Sequence, residues 1–164
     1  TIDMGFKTVD MMDFAGLPKE IWLPRFEAAD VIFFAGGNTY HLMYEIKKAG
    51  VDAVILDLLK TRIFIGNSAG SMIATKNLSL GNPKHRTYLD SRVDELTNET
   101  LGLTDFLLRP HFNSPGHPSS ESEVREMMKN NNVTEDVYLI DDNTAVKVVD
   151  DEIEVVSEGD WKLL

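Results

Sequence analysis

The chain has 164 residues, with 16 Lys and Arg against 27 Asp and Glu, a net charge of −11 and a sequence pI near 4.7. That balance leaves no basic excess to neutralise phosphates, which excludes a nucleic-acid partner, and no apolar run approaches the roughly 18 residues of a membrane span. There is no cysteine, so disulfides, cysteine nucleophiles and thiolate zinc sites are excluded, and a reducing cytoplasm is the compartment that fits.

Taken in order, residues 7–14 carry Val9, Met11 and Met12 and read as a short strand closed by Gly16. Residues 18–29 place Ile21, Leu23 and Phe26 at helical spacing, with Pro24 expected to disturb the helix. Val31-Ile32-Phe33-Phe34-Ala35 is unbroken apolar sequence of strand length, the pattern of a parallel strand buried on both faces. It stops at Gly36-Gly37-Asn38-Thr39. Residues 40–48 form a helix with Gly50 as its stop, and residues 51–60 a second one built on Val54, Ile55, Leu58 and Leu59. Residues 63–66 are the next buried strand. Residues 77–100, with Gly81, Pro83 and many charges, read as a long polar loop with short irregular pieces.

Residues 106–112 are another apolar run, ending in a polar loop at 113–118. Residues 119–130 form a helix that Ser119 or Ser120 can cap. Residues 137–140 are a strand ending in Asp141-Asp142. Residues 144–149 and 153–156 form a hairpin, and residues 161–164 are expected to pair at its edge. Strands alternating with helices indicate one α/β domain over residues 1–164, a mostly parallel sheet finished by an antiparallel tail.

The chemistry starts at Gly66-Asn67-Ser68-Ala69-Gly70. Gly-x-Ser-x-Gly between a strand and a helix is the setting in which a serine turns sharply off a strand end and becomes a nucleophile. Gly66 and Gly70 lie where a Cβ would meet the returning chain. The Ala69 N–H, at the helix start, can face a developing oxyanion, and Gly36 and Gly37 can bring a second N–H close. Ser71 is the competing hydroxyl, but it falls inside the helix.

A serine hydrolase needs a base and an acid to orient it. His111 follows a buried run and opens a loop, which places it at a strand end. His41 lies inside a helix, His85 in the charged loop and His117 in a Gly-His-Pro turn. His111 and His117 lack the spacing of a helical metal pair and no acid joins them, so no metal is expected. The acid is Asp142, closing a buried strand, or Asp90, in the segment between Ser68 and His111.

Phe34-Ala35-Gly36-Gly37-Asn38-Thr39, Gly66-Asn67-Ser68-Ala69-Gly70-Ser71 and Arg109-Pro110-His111-Phe112-Asn113 together resemble the peptidase E (aspartyl dipeptidase) and cyanophycinase family of serine peptidases. The likeness runs from about residue 7 to the end. It implies a class I glutamine amidotransferase-like, flavodoxin-like three-layer fold. It also implies hydrolysis of short peptides without a cofactor, with Ser68 as nucleophile and His111 as base. Asp142 stands where the family commonly carries glutamate, and Asp90 is the nearest match to an aspartate proposed for peptidase E. Gly36, Gly37, Asn38 and Ala69 would form the oxyanion and substrate wall.

Two departures stand out. Peptidase E has an arginine early in the helix after the histidine loop, to hold an N-terminal aspartate. Ser122 stands near that place here, and Arg125, the candidate substrate-binding arginine, one turn later, so weak or absent aspartyl preference is expected; if Asp-Xaa dipeptides are strongly preferred, Arg125 or Arg109 takes the role. The family also begins with a strand and helix before residue 7, and the strand normally lies inside the sheet. This chain is expected to lack that strand, and a partner subunit in a homo-oligomer could supply its contacts. An esterase with the same triad, or a non-catalytic binding relative on the same scaffold, are the alternatives.

Overall fold

A computed structural model describes residues 5–90, 98–117, 119–150 and 152–164, except the side chains of residues 87–90. The first half is built on a parallel strand pair. Strand β1 (Val31–Phe34) runs beside β2 (Ile63–Gly66), with Phe33 opposite Ile65 and Phe34 opposite Gly66. Helix α1 (Lys19–Ala28) precedes them and runs through Pro24 without ending there. Its Trp22 is fully buried, 5.6 Å from the Phe26 ring, which helps the helix tolerate the hydrogen bond that Pro24 cannot make. Helix α2 (Thr39–Ala49) starts at Asn38, whose side-chain oxygen accepts from the Tyr40 and His41 N–H groups. It ends at Gly50 in the left-handed region (φ 72°). Helix α3 (Asp52–Leu58) follows, and α4 (Ala69–Met72) leaves the end of β2.

The second half is built on a three-stranded sheet. Strand β3 (Leu107–Arg109) is parallel to β4 (Val137–Ile140), and β7 (Trp161–Leu163) is antiparallel to β4. Between them lies α6 (Glu121–Asn130), opened by a reciprocal capping box of Ser120 and Glu123. Strands β5 (Thr144–Val149) and β6 (Glu152–Ser157) form a separate antiparallel hairpin. The main core gathers Trp22, Phe34, Met43, Ile46, Ile55 and Ile73; a second gathers Leu80, Leu107, Val124 and Leu139. Among the described residues no helix is long and apolar enough to cross a membrane.

Several expectations are corrected. Residues 7–14 form no strand: a strand exists only in a ladder, and among the described residues this segment is held instead by Arg25, which donates to the Asp10 carboxylate and the Met11 carbonyl. The long segment from 77 to 100 is not all loop, because Pro83–Asp90 forms helix α5, with Pro at the position where its missing N–H costs nothing. The β7 strand pairs with β4 and not with the hairpin. Among the described residues the strands group as the parallel pair β1–β2, the mixed sheet β3–β4–β7 and the antiparallel hairpin β5–β6. Nor are β1 and β2 buried on both faces: Ile32 and Phe34 are inside, whereas Phe33 and Ile63 are 58% and 62% exposed.

Candidate active site

Each residue of the site stands two positions beyond the carboxyl end of a strand: Gly36 after β1, Ser68 after β2, His111 after β3 and Asp142 after β4. Parallel pairing puts those ends side by side, so residues far apart in sequence meet there.

The elbow is strained in the way its glycines require. Ser68 has φ 53° and ψ −111°, outside the regions that L-residues prefer. A Cβ on Gly66 would lie 2.3 Å from the Gly70 carbonyl oxygen, and one on Gly70 would lie 2.0 Å from that of Phe34. The turn closes because both positions lack a side chain. From there the Ser68 hydroxyl reaches His111 Nε2 at 2.7 Å.

His111 is itself held at positive φ (66°). The Ser119 hydroxyl donates to its carbonyl, and the next N–H, of Phe112, donates to the Ile140 carbonyl at 2.9 Å, tying the loop to the end of β4. His111 Nδ1 lies 2.7 Å from Asp142 Oδ1, and the Ser114 hydroxyl donates to Asp142 Oδ2 at 3.1 Å. With Asp142 ionised, the ring proton sits on Nδ1 and leaves Nε2 to accept from serine. The Asp142 side chain is 62% exposed, so its placement depends on these two partners and on its backbone. Asp141 fixes that backbone. Its carboxylate accepts from the Asn143 N–H, the Thr144 hydroxyl and the Asp160 N–H, and these donors hold its pKa below the usual carboxylate value.

Gly36 touches the elbow, since a Cβ there would lie 3.1 Å from Ser68 Cβ. Gly37 has φ 139°, which favours glycine. Gly37 and Ala69 both line the cleft beside Ser68, and among the described residues neither N–H donates to another backbone group. Asn38 does not line the cleft: its oxygen caps α2 and its NH₂ donates to the His85 carbonyl at 3.1 Å, so it docks α5 against the glycine loop. Arg125 is exposed on α6, bonded to Glu121 at 2.9 Å, and does not line the cleft either. The Asp90 side chain lies outside the described residues.

The cleft is open to solvent. Two of its lining residues, His85 and His117, carry no signal in the sequence beyond a charged stretch and a Gly-His-Pro turn. Arg109 lines it as well, 4% exposed, with its guanidinium donating to the Leu80 carbonyl at 3.0 Å. An arginine inside an apolar run before Pro-His is the signal that could have pointed there, because arginine is rarely buried without a task. His117 stacks on His111, with ring centres 4.2 Å apart and planes 23° apart. Stacked rings carry their nitrogens in parallel planes and do not converge on one ion.

The sequence pattern of peptidase family S51 matches residues 3–156. The chain belongs to that family. An uncharacterized peptidase of Listeria innocua is 31% identical over 131 residues, covering 76% of this chain and 57% of the relative. A peptidase E of Shewanella amazonensis is 37% identical over 99 residues, covering 59% of this chain and 39% of the relative. The chain thus spans about half the length of the curated relatives it matches. A crystal structure of a candidate peptidase E from Listeria monocytogenes superposes with a TM-score of 0.72 at 23% identity, over 92% of this chain and 71% of that one. That likeness bears on the fold: a mixed α/β domain of the S51 type.

Proposed function

We propose that this S51 family member is a serine-type peptidase hydrolysing short peptides, with Ser68 as nucleophile, His111 as general base and acid, and Asp142 as the group that orients it. The observation that carries the reading is the continuous chain from Ser68 Oγ to His111 Nε2 and from His111 Nδ1 to Asp142, both links 2.7 Å. Ser68 Oγ attacks the scissile carbonyl carbon as its proton passes to His111 Nε2. The carbonyl oxygen becomes an oxyanion taken up by the Gly37 and Ala69 N–H groups, from two residues that line the cleft with Ser68. The C–N bond then breaks as His111 returns the proton to the leaving nitrogen. Water, deprotonated by His111, attacks the acyl-serine, and the proton goes back to Ser68 as the acid departs.

The finer architectural reading, a class I glutamine amidotransferase-like and flavodoxin-like arrangement, belongs to the same proposal. The parallel pairs with the nucleophile at an elbow between β2 and α4 support it. A cytoplasmic setting is supported by the absence of cysteine.

The test is labelling with a fluorophosphonate probe followed by peptide mapping. Modification of Ser68, abolished in Ser68→Ala, is expected. A folded wild-type protein that takes no label and turns over no member of a dipeptide library would overturn the assignment, and turnover of simple esters without peptides would move it to the esterase class.

A further inference from the structure

The loop after His111 folds back on itself. The Ser114 N–H donates to the His111 carbonyl at 2.9 Å, and the His117 N–H donates to the Ser114 carbonyl at 3.3 Å. Gly116, at φ 85°, turns the chain between them. Ser119 then ties the two ends of the loop together. It is fully buried, its hydroxyl donates to the His111 carbonyl, and its N–H donates to the His117 carbonyl at 2.9 Å. Two histidines that are not neighbours in sequence are thereby set face to face, with ring centres 4.2 Å apart. His117 is itself exposed, so its ring fills no core. Burial on its stacked side, then the charges of His111 and Arg109, hold it below its ordinary pKa, with Asp142 opposing. It therefore turns an uncharged face towards His111 at neutral pH.

The stack matters at one stage of the reaction more than at the other. In the free enzyme the His111 ring has a hydrogen bond at each end, to Ser68 Oγ and to Asp142 Oδ1. Two anchored ends leave the ring little freedom. Once Ser68 carries the acyl group, its oxygen has no proton to give and the first of these bonds is lost. The ring is then held by Asp142 alone, an exposed carboxylate, and a ring on one hydrogen bond can swing about it. Deacylation still needs Nε2 aimed at water. Nε2 takes a proton from water as the water oxygen bonds to the acyl carbon; the C–Oγ bond then breaks and the proton passes to Ser68 Oγ. A small misplacement of the base costs much of that rate. We propose that His117 is a positioning residue whose ring face, set by Ser119, holds His111 in place while Ser68 is acylated, so that it serves deacylation more than acylation. The proposal rests on the reading of Ser68 and His111 given above.

The experiment follows nitrophenol release from the nitrophenyl ester of leucine by stopped flow, with intact-protein mass spectrometry of the quenched reaction. In His117→Asn the steady rate is expected to fall about tenfold while the initial burst keeps its rate within about twofold. The acyl-enzyme should accumulate, and KM should fall together with kcat. His117→Phe keeps a ring face without the imidazole nitrogens and is expected to recover the steady rate. Ser119 does not line the cleft, and Ser119→Ala is expected to slow the same step. Burst and steady rate falling together, a rise in KM at unchanged kcat, or no recovery in His117→Phe would overturn the inference and leave the triad standing. A second measurement needs no turnover. Ser68→Ala removes the same hydrogen bond that acylation removes, so the His111 ring protons in its NMR spectrum are expected to give one sharp set of signals. Adding His117→Asn should broaden or double them. Sharp His111 signals in both proteins would refute the stack as a support, even where the wild-type serine takes no acyl group and the catalytic reading has failed.

Discussion

Ser68 is held in a conformation that costs backbone energy, in a turn that has no room for a side chain at Gly66 or Gly70. Ser68→Ala removes one oxygen and keeps the packing. Peptide turnover is expected to fall by several orders of magnitude, as in other triads, with an unchanged circular dichroism spectrum; retained turnover would remove Ser68 from the mechanism. Asp142→Asn keeps the shape but can donate where His111 Nδ1 must donate, which favours the wrong tautomer. A loss near ten-thousandfold in kcat is expected, with a far smaller one for Asp90→Asn. Ser114→Ala removes one of the two side-chain contacts of Asp142 and should cost about tenfold in kcat. Comparing kcat for the three variants on one peptide ranks them, and a larger loss at Asp90 than at Asp142 would reverse the assignment. Much of this geometry is legible in the sequence. Gly-x-Ser-x-Gly after an apolar run, His after Arg-Pro and Asp after a buried strand mark strand ends, and parallel strand ends converge. No local signal shows that Asn38 commits its side chain to α2 and α5 or that Arg125 is bonded to Glu121, because both depend on which side of an element a residue takes.

The elements were legible where their signals are local and failed where they depend on partners. The cap of α6 is local: Ser120 and Glu123 satisfy each other's backbone N–H groups. Ser120→Ala is expected to cost about 1 kcal/mol in urea denaturation with an unchanged m-value. Residues 7–14 alternate like a strand but lack a ladder, and β7 joins β4 across a sequence distance that no local pattern encodes. Helix α5 was hidden by its polar composition, since its stability owes more to docking than to an apolar face. Asn38 bonds its His85 backbone, and Arg86 lies over the Tyr40 ring with its guanidinium 5.6 Å from the centroid. That docking is what delivers His85 to the cleft.

At the scale of the whole molecule the titratable groups make stability fall on the acid side. Asp141, Glu121, Glu135 and Glu154 all have lowered pKa values, each held first by a hydrogen bond, so their contribution is present above the unfolded carboxylate range and fades as pH falls through the folded values. His85 and His117 are also lowered, so the unfolded chain takes up their protons first and stability starts to decline below about 6.5. The urea midpoint is therefore expected to drop from pH 7.5 to 5.5 and again to 4, and a midpoint that rises on acidification would contradict the linkage. Glu121 and Glu154 owe their lowered values to exposed lysine partners, so their share is small and salt should weaken it. The open face of β1 and β2 has a practical consequence of another kind. Phe33, Ile63 and Ile65 offer water an aliphatic and aromatic surface on a fully folded molecule. A dye such as anilinonaphthalene sulfonate should brighten on the native protein, so that its signal measures this strip of sheet and cannot serve as a gauge of unfolding. Replacing Phe33 and Ile63 with Thr should darken the dye while the far-ultraviolet spectrum stays the same.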